Sequence, residues 1–105
     1  MKKIFIGRDF SFTPMGRYYP KDGDSCGERF RTQILAPALR AGEQVEVVID
    51  DVEGYGSSFL EEAFGGLIRV EGFTVSELKQ NLKIICNNED FKIYANLITK
   101  YIEMA

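Results

Sequence analysis

The sequence contains no histidine and no tryptophan, and only two cysteines and three prolines in 105 residues. Without histidine, a Ser-His-Asp triad is excluded, as is the imidazole general base that enzymes most often use near neutral pH. Histidine-based zinc sites are excluded too, and Cys26 and Cys86 are too far apart in sequence to begin an all-thiolate site. Any catalysis would depend on carboxylates, lysine, tyrosine or cysteine.

Long apolar runs and clusters of basic residues are also missing. The apolar part of residues 1–7 is shorter than the core of a signal peptide, and no later run approaches a membrane span. The formal net charge is −3, and the 13 basic residues are scattered along the chain. Nucleic-acid-binding proteins usually concentrate Lys and Arg on one face. We therefore expect a cytoplasmic protein that binds neither nucleic acid nor a membrane.

The composition is that of an ordinary globular protein, with 45% hydrophobic and 28% charged residues. The length suits one hydrophobic core but not two. No linker, internal repeat or low-complexity tract interrupts the chain. We expect a single domain over residues 1–105.

Alternating apolar and β-branched residues predict strands at 2–7, 44–50 and 82–87. A shorter β-like segment at 16–20 is predicted to be the return arm of an N-terminal hairpin. Apolar residues at helical spacing predict helices after residues 25 and 58, a short helical turn at 75–80, and a closing helix at 87–104. The order β-β-α-β-α-β-α predicts an α/β fold. We expect a mixed sheet of about four strands, with helices packed on it and right-handed βαβ crossovers.

Two S-x-x-E sequences predict capping boxes at the starts of the first two long helices. One pairs Ser25 with Glu28, and the other pairs Ser58 with Glu61. Two further features concern the first of these helices. Pro37 predicts a kink or an early break, and Gly42 is the expected C′ residue.

Gly65 and Gly66 lie inside the second long helix, where each costs about 1 kcal/mol relative to alanine. They predict either close packing against a strand or a helix end at Gly66. In the closing helix, a buried stripe is predicted from residues at helical spacing: Phe91, Tyr94, Leu97, Ile98, Tyr101 and Ile102.

Residues 45–69 have the sequence VEVVIDDVEGYGSSFLEEAFGGLIR. They resemble the strand–loop–helix centre of a STAS domain, the module named for sulphate transporters and anti-sigma-factor antagonists. The resemblance is closest to the STAS-like family of unassigned function. SCGERFR at 25–31 is similar to the family's helix start, and Gly16–Arg17 is similar to its Gly-Arg pair. The resemblance implies a STAS-like fold.

In the regulatory STAS proteins, the corresponding loop reads Asp-Ser-Ser-Gly, and a partner kinase of the histidine-kinase-like ATPase fold phosphorylates its second serine. The resemblance implies that Ser57 and Ser58 match the two serines and that Ser58 is the phosphoacceptor. Gly56 and Phe59 stand where that motif has aspartate and glycine.

Three interpretations of Ser57 and Ser58 remain open at this point. Ser58 could be a helix N-cap with Ser57 in the preceding turn, which stabilises a helix by about 1 kcal/mol. Either hydroxyl could be a phosphoacceptor at a helix N-terminus. A catalytic nucleophile is the weakest alternative, because the segment is not G-x-S-x-G and no histidine could activate the serine.

A group of carboxylates lies near the predicted carboxyl edge of the sheet: Asp50, Asp51, Glu53, Glu61 and Glu62. Hard oxygen ligands suit magnesium or calcium, but this spacing matches no known metal-binding loop. A solvated acidic rim is the favoured interpretation. We therefore expect neither a metal site nor a cofactor.

Arg17, Arg29 and Arg31 lie in or beside a glycine-rich segment that leads into a helix. Such an arrangement could bind an anion or a nucleotide phosphate. The spacing of the glycines matches neither the Walker nor the dinucleotide motif. Exposed arginines on a surface loop are the simpler interpretation.

Together these features predict a small regulatory domain that binds a protein and is not an enzyme. The expected partner is a histidine-kinase-like ATPase, and the expected surface comprises the Gly54–Ser58 loop and the first helical turn: Tyr55, Ser57, Ser58, Phe59, Glu61 and Glu62. The alternative is a small-ligand or nucleotide-binding domain that uses the same helix N-terminus and Arg17.

Overall fold

A computed structural model describes all 105 residues. Its three strands are β1 (Lys2–Phe5), β2 (Val45–Val48) and β3 (Leu82–Ile85). They form one sheet in the order β1-β2-β3, and both pairs are parallel. The α/β class is therefore confirmed. The prediction of a mixed sheet of about four strands is wrong, because the sheet has three strands and no antiparallel pair.

The segment 16–20 is a turn and not the return arm of a hairpin. The carboxylate of Asp22 accepts hydrogen bonds from the amides of Arg17 and Tyr18, at 3.0 and 2.9 Å. Gly16 adopts a φ of +85°, a conformation that favours glycine. Because the side chain of Asp22 takes up these amides, they are not available for a strand ladder.

The chain also forms five helices. Helix α1 is Ile6–Asp9, α4 is Val75–Asn81, and α5 is Lys92–Met104, which follows a 3₁₀ turn at Glu89–Phe91. Helix α2 covers 27–40 and consists of Gly27–Phe30, a π-helical turn at Arg31–Leu35, and Ala36–Arg40. Helix α3 covers 57–69 and consists of Ser57–Leu60, a π-helical turn at Glu61–Gly65, and Gly66–Arg69. None of the five has both the length and the apolar character that a membrane span requires.

Pro37 does not end helix α2. Its missing N–H removes one backbone hydrogen bond, and the π-helical turn at Arg31–Leu35 comes immediately before the segment that contains it. The helix ends at Arg40, and Gly42 follows with a φ of +86°. The predicted C′ position of Gly42 is thus confirmed.

Both predicted capping boxes are wrong. The N-cap of α2 is Cys26 and that of α3 is Gly56, and neither has a side-chain capping bond. The Ser25 hydroxyl instead lies 2.9 Å from the hydroxyl of Ser11. The carboxylate of Glu28 accepts the amide of Tyr19 at 2.9 Å. Both groups therefore hold the 11–25 segment. The first amides of α2, those of Gly27 and Glu28, donate instead to the carbonyls of Gly16 and Arg17, each at 3.0 Å.

The one capping box in the structure begins helix α4. The Thr74 hydroxyl accepts the amide of Glu77, and the Glu77 carboxylate accepts the amide of Thr74. The sequence T-x-x-E carries the usual signal for this arrangement.

The long helices lie on one face of the sheet. Right-handed crossovers between strands in the order β1-β2-β3 place α2 and α3 on the same side. The buried core contains Ile4, Val45 and Val47 from that face, and Ile98 from α5 joins them. Ile98 is the one fully buried member of the stripe predicted in α5, and its other members are half-buried. The opposite face, with Glu46 and Val48 at its centre, carries no helix.

Candidate functional site

The Gly54–Ser58 loop leaves the carboxyl end of the central strand, the end at which α/β proteins commonly bind their ligands. Tyr55 holds the loop against the sheet, because its hydroxyl donates a hydrogen bond to the Ile49 carbonyl at 2.6 Å. The Tyr55 ring stacks on Phe59 and meets Tyr94 edge-on, with centroids 5.8 and 5.1 Å apart. Burial, together with the nearby charges of Asp51 and Asp50, raises the pKa of the Tyr55 hydroxyl, so Tyr55 stays a neutral donor.

Asp50 and Asp51 bind backbone amides from the segments that follow the two outer strands. The Asp51 carboxylate accepts the amides of Gly7 and Arg8 at 2.8 and 3.0 Å. Asp50 accepts the amides of Asn87 and Asn88 at 2.6 and 2.9 Å. These bonds join helix α1, which follows β1, to the loops that follow β2 and β3. No three acidic or cysteine side chains converge as a metal ion would require.

Ser57 and Ser58 are the first two residues of helix α3, and both are exposed. Gly56 is the N-cap, so the prediction that Ser58 caps the helix is wrong. Glu61, the predicted partner of Ser58, bonds to Arg17 and Arg69 instead. Both serine hydroxyls therefore face solvent at a helix N-terminus, where added negative charge is favourable.

The segment 12–19 lies beside this loop. The Glu53 amide donates to the Phe12 carbonyl at 3.0 Å, and a groove of about 390 Å³ separates residues 13–15 from 53–56. Large apolar side chains on this segment are open to solvent: Phe12 is 59% exposed, Met15 61%, Tyr18 49% and Tyr19 50%. We call residues 12–19 and 53–58 together the serine-loop surface. In the sequence, the signal that could have found this surface is the concentration of aromatic residues before position 20.

Arg17 connects the serine-loop surface to helix α3. Its guanidinium binds the carboxylates of Glu61 and Glu62, the latter at 3.2 Å. Arg69, two turns further along α3, binds Glu61 at 2.6 Å. Burial alone would raise the pKa of the Glu61 carboxyl, but hydrogen bonds from Arg69 and Arg17 outweigh it and lower the pKa. Glu61 therefore remains charged and holds Arg17 in place.

The same network continues into the interior. Arg31 binds Glu62 through two hydrogen bonds, 2.7 Å to the carboxylate and 2.6 Å to the carbonyl. Its Nε lies 2.9 Å from Glu71, which also binds Arg40 at 2.8 Å. Seven side chains thus form a continuous network of arginines and glutamates: Arg17, Arg31, Arg40, Arg69, Glu61, Glu62 and Glu71.

Gly65 and Gly66 make room for this network. A Cβ on Gly66 would collide with the guanidinium of Arg31, and one on Gly65 would lie 2.7 Å from a carboxylate oxygen of Glu61. The predicted close packing is therefore present, but against side chains and not a strand. The neighbour of Gly66 is Arg31 of helix α2, and that of Gly65 is Glu61 of α3 itself. Helix α3 continues past both glycines to Arg69.

The three arginines considered for anion binding do not form an open site, because Arg17 and Arg31 meet only at the carboxylate of Glu62. Arg31 is only 2% exposed, and Arg17 is engaged by two carboxylates. Arg29 binds Asp24 at 3.1 Å, and its guanidinium lies 4.8 Å from the centre of the Tyr19 ring. Sequence reasoning did not find Arg40, Arg69 or Glu71, because their partners lie on other elements or two helical turns away.

The family described as a STAS-like domain of unknown function (DUF4325) matches residues 26–92, from the N-cap of α2 to the first residue of α5. No curated protein and no solved structure matches the chain. The family match covers more than half of the chain and includes both long helices, the serines and the buried ion pair of Arg31 and Glu62. This protein belongs to the family of STAS-like domains of unknown function.

Proposed function

We propose that the protein is a regulatory interaction domain that binds a protein partner through the serine-loop surface. One observation carries this proposal. The chain has eight large hydrophobic side chains that are exposed, and four of them, Phe12, Met15, Tyr18 and Tyr19, lie within eight residues on this surface. Exposed apolar groups concentrated in one place mark interaction sites, and Tyr, Phe and Met are enriched there.

The surface is also held in a fixed shape, which favours binding. Tyr55 fastens one side of the groove to the sheet, and Arg17 fastens the other side to α3. The hydrogen bond between Glu53 and Phe12 joins the two sides. A surface that is already ordered loses less conformational entropy on binding, so more of the contact energy contributes to affinity.

The partner we propose is an ATPase of the histidine-kinase-like type, as the family resemblance implies, and it phosphorylates Ser57 or Ser58. Both hydroxyls are exposed in the first turn of α3. A phosphate there would add nearly two negative charges to the docking surface while suiting the helix N-terminus. The protein would act by binding and not by catalysis. Binding of a small ligand or nucleotide at the same helix end is the weaker hypothesis, because Arg17 would have to leave both glutamates.

The test places a photo-crosslinking amino acid at Met15 and, as a control, at Ile93, which is 62% exposed on α5. Proteins crosslinked from position 15 but not from position 93 are identified and purified. Their affinity is then measured for wild type, Met15→Asp and Ile93→Asp. We expect Met15→Asp to weaken binding about tenfold or more and Ile93→Asp to leave it unchanged. Equal losses for both variants, or a partner captured only from position 93, would refute the proposed surface.

A further inference from the structure

Strand β3 is an edge strand, and one side of its backbone is open. The Ile85 carbonyl accepts the Ile49 amide at 3.1 Å, so Lys83 and Ile85 direct their backbone groups toward β2. Successive residues of a strand direct these groups to opposite sides. The Leu82 N–H donates to the Leu78 carbonyl at the end of α4. The C=O of Leu82 and both the N–H and C=O of Ile84 therefore face away from the sheet, where another strand could pair with them.

A groove of about 360 Å³ runs beside this open edge, between β3, α4 and α5. Its walls are mainly apolar and include Leu78, Leu82, Ile84, Ala95, Ile98 and Ile102. Helix α5 follows β3 in the chain and forms the wall of the groove opposite this edge.

The side chains along the sheet determine which strand would fit there. On the face without helices, Lys3, Glu46 and Lys83 are cross-strand neighbours, so their charges alternate. Opposite charges on neighbouring strands stabilise a sheet and like charges destabilise it. A further strand should therefore place an acidic residue beside Lys83 and apolar residues beside Leu82, Ile84 and Ile85. Strand β2 already meets these requirements on the other side of β3, with the sequence Val-Glu-Val-Val.

We propose that the edge of β3 binds an extended segment of a partner protein by β-strand addition, and that this segment carries an acidic residue among apolar ones. The occupant is not a second copy of the chain. Antiparallel pairing of two β3 strands would set Lys83 beside Lys83 or Ile85 of the other copy, which leaves the lysine without a carboxylate. The site is separate from the serine-loop surface and does not depend on the proposed function.

The probe is a capped peptide with the sequence of residues 43–50, Glu-Gln-Val-Glu-Val-Val-Ile-Asp. It is titrated into the full ¹⁵N-labelled chain while amide chemical shifts are followed. We expect saturable shifts at Leu82, Ile84 and the α5 residues of the groove, with none in the serine-loop surface. A peptide with lysine in place of its second glutamate should bind about three- to tenfold more weakly.

Two protein variants give a matched comparison, because Lys3 and Lys83 flank Glu46 on opposite edges of the sheet. Lys83→Glu should reverse the preference between the two peptides, whereas Lys3→Glu should leave it unchanged. Thermal melts check that both variants are folded. The proposal is overturned by shifts at β1 in place of β3, by equal effects of the two variants, or by no saturation up to about 1 mM peptide. Dimerisation through β3 without peptide would also overturn it, because the occupant would then be a second copy.

Discussion

Arg31 and Glu62 form an ion pair across the contact between α2 and α3, with Nη1 2.7 Å from Oε2. The two residues are 2% and 3% exposed, respectively. Each lies in a π-helical turn of its own helix. Such turns are rare and are frequently found at functional sites. Here the two turns place a charged pair in the interior. Glu62 also binds Arg17, which holds the serine-loop surface against α3.

Removing both members of this pair should cost less than the sum of the two single losses. Glu62→Leu leaves Arg31 buried with one carboxylate fewer, and we expect a loss of about 3 kcal/mol or more in the free energy of unfolding. Arg31→Met should cost a similar amount. The double variant should be more stable than the sum of the two losses predicts, by at least about 1 kcal/mol. Urea denaturation of all four proteins measures this difference, and additive losses would show that the pair is not coupled.

The spacing between Arg31 and Gly66 leads to a second prediction. Gly66→Ala should destabilise the protein by about 1–3 kcal/mol, because the new methyl group would collide with the guanidinium. Gly54→Ala is the matched control, since a Cβ there would meet only the Tyr94 hydroxyl at 3.7 Å. Its effect should stay within about 0.5 kcal/mol.

The collision between a methyl group at position 66 and the Arg31 guanidinium can also be tested in a protein that lacks the guanidinium. In the Arg31→Met protein, the cost of Gly66→Ala should fall, because the guanidinium is gone. A cost that stays the same in both proteins would rule out the collision with the guanidinium, because helix propensity alone favours alanine over glycine by about 1 kcal/mol and cannot supply a cost. Thermal or urea unfolding of the two pairs of proteins is sufficient.

The positions of β1, β2 and β3 and of the long helices could be predicted because each follows from a period within its own segment. The C′ role of Gly42 is equally local. The turn at 16–20 could not be predicted, because the Asp22 side chain competes with strand pairing for the Arg17 and Tyr18 amides. The capping boxes failed because an S-x-x-E sequence caps a helix only where the helix begins one residue after the serine.

The arginine–glutamate network shows the limit of sequence reasoning most clearly. Arg31 and Glu62 are 31 residues apart, and so are Arg40 and Glu71, so no local period connects them. Glu61 and Glu62 were expected in a solvated rim or a docking surface. Glu62 is instead buried, because Gly66 leaves room for the guanidinium of Arg31 from α2, which reaches the Glu62 carboxylate.

Acid should weaken the network through Glu71. Burial alone would raise the pKa of this carboxyl, but hydrogen bonds from Arg40 and Arg31 outweigh it and hold the pKa below its ordinary value of 4.5. A folded-state pKa below the unfolded one contributes stability that is fully present above pH 4.5 and is lost as pH falls through the folded-state value. We therefore expect the free energy of unfolding to decline below about pH 4.5.

The corresponding variant is Glu71→Gln, which cannot titrate. It should be less stable than wild type at pH 7 and should lose part of the acid dependence. Glu43→Gln serves as the control, because Glu43 is exposed and forms no ion pair. Urea titrations at several pH values between 2.5 and 7 give the comparison. If Glu71→Gln keeps the full slope, then other groups account for the acid sensitivity.

Variants of Ser58 separate an effect on stability from an effect on partner binding. Its hydroxyl is exposed and Gly56 is the N-cap, so Ser58→Ala should change the free energy of unfolding by less than about 0.5 kcal/mol. Ser58→Asp should be neutral or slightly stabilising, by about 0.3–1 kcal/mol, because it adds negative charge in the first turn of α3. The matched control is Ser76→Asp, which changes an exposed serine in the first turn of α4.

The two aspartate variants should differ in partner binding even though they are equally well folded. Ser58→Asp places a charge on the proposed docking surface and should shift the affinity for the crosslinked partner about fivefold or more, while Ser76→Asp should not. Ser58→Ala should keep basal binding and lose any response to ATP and the kinase. If Ser58→Asp leaves the affinity within about twofold, and mass spectrometry of the native protein finds no phosphate on Ser57 or Ser58, the proposed switch is wrong. The interaction proposal would then depend on the Met15 variant alone, because that residue tests the apolar contact without involving either serine.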